Sequence, residues 1–130
     1  MASADMNLCV TKTFKAAADL SSYQYHFMYI SAAGTVNVAG ANAKTCGILL
    51  NKPDAANKEA LVAMPGSICP LVAGEIFAAG KYLTAKSDGH GEIADAAGEH
   101  VGAYAYQAAA AANDIVTVGV VCFEAYDSDA

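Results

Sequence analysis

Apolar and polar residues alternate along many short segments of this chain, most clearly over residues 23–30. Tyr23, Tyr25, Phe27 and Tyr29 alternate there with Gln24, His26, Met28 and Ile30. A period of two with aromatic residues on one side is typical of a β-strand. Short apolar runs between turn residues predict the remaining strands. They cover residues 35–38, 46–50, 60–64, 67–72, 81–85, 92–94, 102–106 and 115–123.

The spacing of the turn signals predicts the fold class. Glycine-containing turns recur at intervals of about 8 to 12 residues, as in all-β sandwiches and barrels. The alanine-rich segment 106–112 favours a loop or one helical turn, because it has no spaced apolar face and is too short to stand alone. We therefore predict an all-β protein, a small single-domain β-sandwich or barrel-like fold. The domain spans residues 1–130, with an N-terminal arm at 1–13 and a short acidic tail at 126–130.

Composition and charge argue against several classes of function. The chain has 130 residues, 55% of them hydrophobic and only 15% charged, which is unlike a disordered protein. It has seven lysines, no arginine and 13 acidic residues, for a net charge of −6. Proteins that grip phosphates or read guanine usually rely on the bidentate arginine fork. We therefore expect no nucleic-acid partner, and the absence of a signal peptide pattern or a long apolar run predicts no membrane association.

The four cysteines give no sign of a metal or redox motif. They are Cys9, Cys46, Cys69 and Cys122, each among apolar neighbours, and no CxxC pair occurs. Free cysteine is often buried and behaves as a small hydrophobe. The expectation is four buried free thiols.

A cluster of histidines and acids late in the chain has metal-ligand chemistry. It comprises Asp88, His90, Glu92, Asp95, Glu99 and His100. A hairpin could bring such groups together. The same glycine-rich segment is also typical of a solvated hairpin turn, and no HExxH spacing is present, so we predict a solvated loop and no metal site. His26, opposite the tyrosines on the predicted strand, is expected to be partly buried or at an interface.

Motifs for catalysis and cofactor binding are missing from the sequence. There is no GxSxG elbow and no glycine-rich phosphate loop, so we predict that the protein is not an enzyme and has no cofactor. One alternative is a biotinyl- or lipoyl-type carrier domain, because Met64-Pro65-Gly66 and the turn at Ala79-Gly80-Lys81 resemble its hammerhead pattern. None of the lysines has the surroundings of a swinging lysine.

A more extensive resemblance covers residues 14–123. Its elements occur in order: Gly47-Ile48-Leu49, Val62 with Gly66, Ala73-Gly74 with Ala79-Gly80, Asp88-Gly89, and Val101-Gly102-Ala103. In the order and spacing of these elements the chain resembles the small phage head decoration, or capsid cement, proteins of the DUF2190 type. It departs from their pattern in its four cysteines and in Lys81, where an acidic residue commonly follows the second Ala-Gly.

The resemblance implies a non-enzymatic protein on the outer capsid surface of a tailed-phage virion, assembled in the host cytoplasm. Its partners would be the major capsid protein and further copies of itself, as a homotrimer, and it would stabilise the shell by bridging capsid subunits. Another β-rich virion or tail component remains an alternative.

The aromatic stripe is the candidate contact surface. Because aromatic residues are enriched at interface cores, Tyr23, Tyr25, Phe27 and Tyr29 are the predicted interface residues. The alternative for the same stripe is one face of a sheet packed on the core.

Overall fold

The computed structural model describes residues 9–96 and 98–124. Within them the chain forms ten β-strands and no helix, which confirms the all-β prediction. The strands are β1 (Thr11–Ala16), β2 (Phe27–Ala32), β3 (Thr35–Val38), β4 (Gly47–Leu49), β5 (Glu59–Ala63), β6 (Ile68–Val72), β7 (Tyr82–Ala85), β8 (Gly91–Ile93), β9 (His100–Ala105) and β10 (Ile115–Glu124).

The strands form a closed barrel and a second sheet. The barrel order is β1-β3-β2-β4-β5, and β1 closes it by pairing in parallel with β3 and antiparallel with β5. The second sheet has the order β6-β10-β9-β7-β8, and its neighbouring strands pair antiparallel. The chain thus completes the barrel before it begins the sheet. β10 contains an irregularity between Val120 and Phe123, where its register to β9 shifts.

The first two residues of β2 are buried on opposite sides of the strand, and they show where the core lies. Successive residues Phe27 and Met28 on β2 are both fully buried, but they belong to different clusters. Met28 lies with Phe14 and Val36 in a cluster drawn from barrel residues. Phe27 lies in a larger cluster with residues such as Leu83 of the second sheet. Since adjacent side chains of a strand point to opposite faces, the barrel has one core inside and a second core against the sheet.

The β7–β8 hairpin is held against the barrel by backbone contacts at its tip. The Phe27 amide donates a hydrogen bond of 2.8 Å to the carbonyl of Gly89. Gly89 has a φ of +84°, and a Cβ there would lie 2.6 Å from the Val38 side chain. Only glycine meets both the turn conformation and the close approach.

Several sequence predictions need correction. The strand predicted at 23–30 begins only at Phe27, because residues 23–26 form turns and Tyr25 has a φ of +65°, which a strand does not allow. The predicted arm at 1–13 overlaps β1, which starts at Thr11 and pairs with β5. The segment 106–112 is a loop, as expected, and the acidic tail at 126–130 lies outside the described residues. Across residues 9–96 and 98–124, no helix has the length and apolar character needed to cross a membrane.

Candidate interaction surface

Four aromatic side chains meet on the second sheet and form the aromatic cluster: Tyr82, Tyr104, Tyr106 and Phe123. The Tyr82 ring lies 5.2 Å from the rings of both Tyr104 and Phe123, measured between centroids. Tyr104 in turn lies 5.6 Å from Tyr106. All three pairs are tilted or edge-to-face, the arrangements that aromatic quadrupoles favour.

Strand pairing and small residues together assemble this cluster. Tyr82 on β7 is directly opposite Tyr104 on β9, so the register places the two rings side by side. Tyr106 follows β9 and lies over β10 at Gly119, where an added Cβ would be 2.9 Å from the tyrosine hydroxyl. Any larger residue at position 119 would push the Tyr106 ring away.

The aromatic cluster is exposed to solvent. Tyr82, Tyr106 and Phe123 expose 48%, 51% and 40% of their surface, and Tyr104 is half-buried. Single exposed apolar residues are normal on a protein surface, whereas large contiguous groups of them are found at protein contact sites, so this cluster is a candidate for one. Tyrosine combines an apolar ring with a hydroxyl that can pair with a polar partner, which suits a surface that is alternately wet and covered.

The aromatic cluster was not predicted from the sequence. Tyr82, Tyr104 and Phe123 lie on β7, β9 and β10, and Tyr106 directly follows β9. Because β7 and β10 are not adjacent in the chain, only the strand order brings Tyr82 to Phe123. The one local signal was the alternation of Tyr104 and Tyr106 in the run Gly102-Ala-Tyr-Ala-Tyr.

The predicted interface residues are distributed differently from what the sequence pattern indicated. Phe27 has 0% exposure and lies in the core between barrel and sheet, so it offers no contact surface. Tyr23, Tyr25 and Tyr29 are half-buried, but Tyr23 packs on the barrel cluster while Tyr25 and Tyr29 pack on the other. The four residues therefore do not form one stripe, and a partner contact by the three tyrosines stays a prediction.

The histidines are not arranged as the metal hypothesis required. His90 meets His26, with ring centroids 4.5 Å apart, and its Nδ1 lies 3.4 Å from a carboxylate oxygen of Asp88. His100 lies in other surroundings on β9, where its amide donates to the Asn42 side chain. No group of three or more ligand-type residues among those described could hold a metal ion.

His26 is a buried part of the contact between barrel and hairpin. Its exposure is 7%, its Nδ1 lies 3.0 Å from the Gln24 carbonyl oxygen, and its ring is edge-on to Tyr23 at 5.3 Å. Burial lowers the pKa of His26, the Gln24 carbonyl opposes this, and the neighbouring His90 lowers it further. Burial likewise lowers the pKa of His100. Both imidazoles are therefore disposed to be neutral at pH 7.

The cysteines are free but not uniformly buried. Cys69 is fully buried, Cys9 and Cys46 are half-buried, and Cys122 is exposed. The expectation of four buried thiols is therefore wrong for Cys122. β10 continues past the sheet core at this point, and the covered positions of the strand end at Val120.

The motif that suggested a carrier domain forms an ordinary turn. Met64-Pro65-Gly66 connects β5 to β6, with Gly66 at a φ of +99°. The lysine at the β7–β8 turn is Lys86, and its ammonium donates a hydrogen bond of 3.0 Å to the Gly74 carbonyl. A swinging lysine needs a free amine, so this arrangement differs from that of a carrier.

The chain shares its fold with a protein of known structure. Neither a model of a known protein family nor any curated protein matches it. Among solved structures, the head fiber gp8.5 N base of bacteriophage phi29 matches with a TM-score of 0.68 and 20% sequence identity. The match covers 88% of this chain and 95% of that one. At this identity the likeness shows a shared fold, and the resemblance to the capsid cement family stays a prediction.

Proposed function

We propose that this protein is a non-enzymatic structural component of a tailed-phage head, bound to the outer surface of the shell as a decoration protein. The observation that carries the proposal is the fold shared with a phage head fiber base over 88% of the chain. Because fold alone does not determine function, the exposed aromatic cluster provides a second support: it is a surface suited to binding another protein.

The proposed partner is the major capsid protein, with the protein itself assembling as a homotrimer. In such an arrangement each copy contributes the same patch to a symmetric contact. Many copies on one shell make modest single contacts sufficient, because the linked sites bind with avidity. The protein would stabilise the head by bridging neighbouring capsid subunits, without a cofactor or a catalytic step.

We assign the aromatic cluster to the centre of the capsid contact. Hot spots of protein interfaces are enriched in tyrosine and tryptophan and lie in the middle of the buried patch. Tyr82 is the best single candidate, since its ring contacts both Tyr104 and Phe123.

The location of the protein in infected cells tests the proposal. Lysates are fractionated on a density gradient, and the protein is quantified in each fraction beside the major capsid protein. Co-migration with DNA-filled heads at a comparable copy number supports decoration. Recovery only in the soluble fraction, with intact particles elsewhere, refutes it, and recovery with isolated tails assigns the protein to the tail.

A pair of variants tests the assigned surface. Purified protein is added to heads that lack it, and bound protein is measured after sedimentation. Tyr82→Ala is expected to weaken binding about 30-fold, the effect of removing a hot-spot side chain worth about 2 kcal/mol. Ile76→Ala is the matched control, because Ile76 is 68% exposed and is not part of the aromatic cluster. Equal binding by both variants would remove the aromatic cluster from the contact.

A further inference from the structure

Cys122 contacts the residue that precedes Cys46, although the two cysteines belong to different parts of the fold. Cys46 immediately precedes β4 of the barrel, and Cys122 lies near the end of β10 in the second sheet. The Cys122 Sγ is 3.8 Å from the carbonyl oxygen of Thr45, the residue bonded to Cys46. Strands β4 and β10 also pack together, with Cα atoms within 8 Å. Burial is the main cause that raises the pKa of the Cys46 thiol, and the nearby Cys122 raises this pKa further.

The two thiols differ in their surroundings, and this sets the order in which they can react. Cys122 is exposed, so a small molecule can reach its sulfur. Cys46 is half-buried, and burial raises its pKa to about 11. The thiolate is the reactive form of cysteine, and access to the sulfur limits thiol exchange. Cys122 is therefore the thiol that reacts first with a small molecule.

We propose that Cys46 and Cys122 form a reversible intramolecular disulfide when the protein meets a small-molecule disulfide such as oxidised glutathione. The Cys122 thiolate attacks one glutathione sulfur, which forms a mixed disulfide and releases one glutathione thiolate. The Cys46 thiolate then attacks the Cys122 sulfur and releases the second glutathione. The protein loses two thiol protons and two electrons, and these convert one oxidised glutathione into two reduced molecules.

This disulfide would join the barrel to the second sheet. It closes a loop of more than half the chain, and a cross-link that closes a long loop restricts the unfolded state strongly. We expect the oxidised protein to melt about 10 °C above the reduced one. A phage head protein, as proposed above, would meet oxidising conditions on release from the host cytoplasm. The chemistry itself is tested on the purified chain, so its outcome does not depend on that role.

The positions of the lysines make the cross-link simple to identify. Trypsin cleaves after lysine but not at Lys52, which precedes Pro53, so each cysteine lies in its own peptide. These peptides are residues 1–12, 45–58, 59–81 and 87–130. The native full chain is treated with oxidised glutathione, free thiols are alkylated, and the digest is analysed by mass spectrometry without reduction. The expected product links 45–58 to 87–130 and disappears on reduction.

Two variants control the experiment. Cys122→Ser, at an exposed position, should abolish both the linked peptide and the rise in melting temperature. Cys9→Ser should retain both. Cys69 is an internal reference: burial raises its pKa to about 12 and it has no exposed surface, so it should stay reduced in the folded protein. The proposal is overturned if Cys122 keeps a stable glutathione adduct while Cys46 remains free for alkylation, or if the only disulfides join separate chains.

Discussion

Replacing Phe27 by alanine distinguishes a core aromatic from an interface aromatic. Phe27 has 0% exposure and lies in the core shared by barrel and sheet. Truncation of a buried phenylalanine costs about 3–5 kcal/mol, as lost transfer free energy and as the cavity left behind. The edge of the ring faces Gly102, where an added Cβ would be 2.7 Å away. Gly102 has no side chain that could move into the cavity, so we expect a loss in the upper part of that range.

Urea unfolding measures this loss. The chain has seven tyrosines and no tryptophan, so far-ultraviolet circular dichroism is the better probe. A loss of about 4 kcal/mol at a slope of about 2 kcal/mol per molar urea lowers the midpoint by about 2 M, with the slope unchanged. Such a loss is a large part of the 5–15 kcal/mol that stabilises a typical domain, as an approximate range.

Tyr29→Ala is the matched control for Phe27→Ala. Tyr29 lies on the same strand but is half-buried, so its truncation should cost clearly less. If the aromatic stripe were an exposed contact face, both substitutions would change the free energy of unfolding by less than about 0.5 kcal/mol, as surface substitutions usually do. A midpoint shift below about 0.5 M for Phe27→Ala would refute the core placement.

Three further predictions concern packing, protonation and self-association. Gly102→Ala should destabilise the fold by about 1–3 kcal/mol in urea unfolding, because its Cβ would collide with Phe27 and Thr45, whereas Gly40→Ala has open space and should cost little. The lowered pKa of His26 means that the unfolded chain binds the proton more readily, so stability falls as pH drops below about 6.5. Between about pH 7.5 and about pH 5, the free energy of unfolding should fall less for His26→Gln than for the unsubstituted protein. Equal falls in the two proteins would contradict this. If the protein is a trimer, sedimentation equilibrium should give three times the 13.2 kDa chain mass.

The sequence predicted strands best where local pattern and turn chemistry agreed. The strand β3 was predicted with its observed bounds, and β10 was predicted within one residue. Both are rich in β-branched residues; β3 lies between Gly34 and Gly40, and β10 follows Asn113-Asp114. β1 was missed because only Phe14 and Ala16 of its six residues are buried, and it is held by pairing with distant β5 and β3.

Misreading of the aromatic stripe follows from the two-sided burial of β2. On a strand with one solvated face, successive side chains point alternately to the core and to solvent. Either the aromatic residues or the residues between them would then be exposed. On β2 both Phe27 and Met28 are covered, one by the second sheet and one by the barrel interior. The alternation of aromatics therefore carried no information about solvent, and a sequence without its sheet order cannot show that a second layer covers the barrel.

The aromatic cluster on the second sheet also depends on the strand order and not on local sequence. Tyr82 and Phe123 are unremarkable in their own segments and become a surface only because β9 lies between β7 and β10. A second sheet that buries the outer side of β2 thus also carries a new outer face of its own. The second sheet covers Phe27 on one side and exposes Tyr82 on the other. The candidate contact surface therefore lies on the sheet and not on the barrel. If the protein binds phage heads as proposed, we therefore expect Tyr82→Ala to lose head binding and Tyr29→Ala to keep it, and the reverse result would return the contact to the barrel.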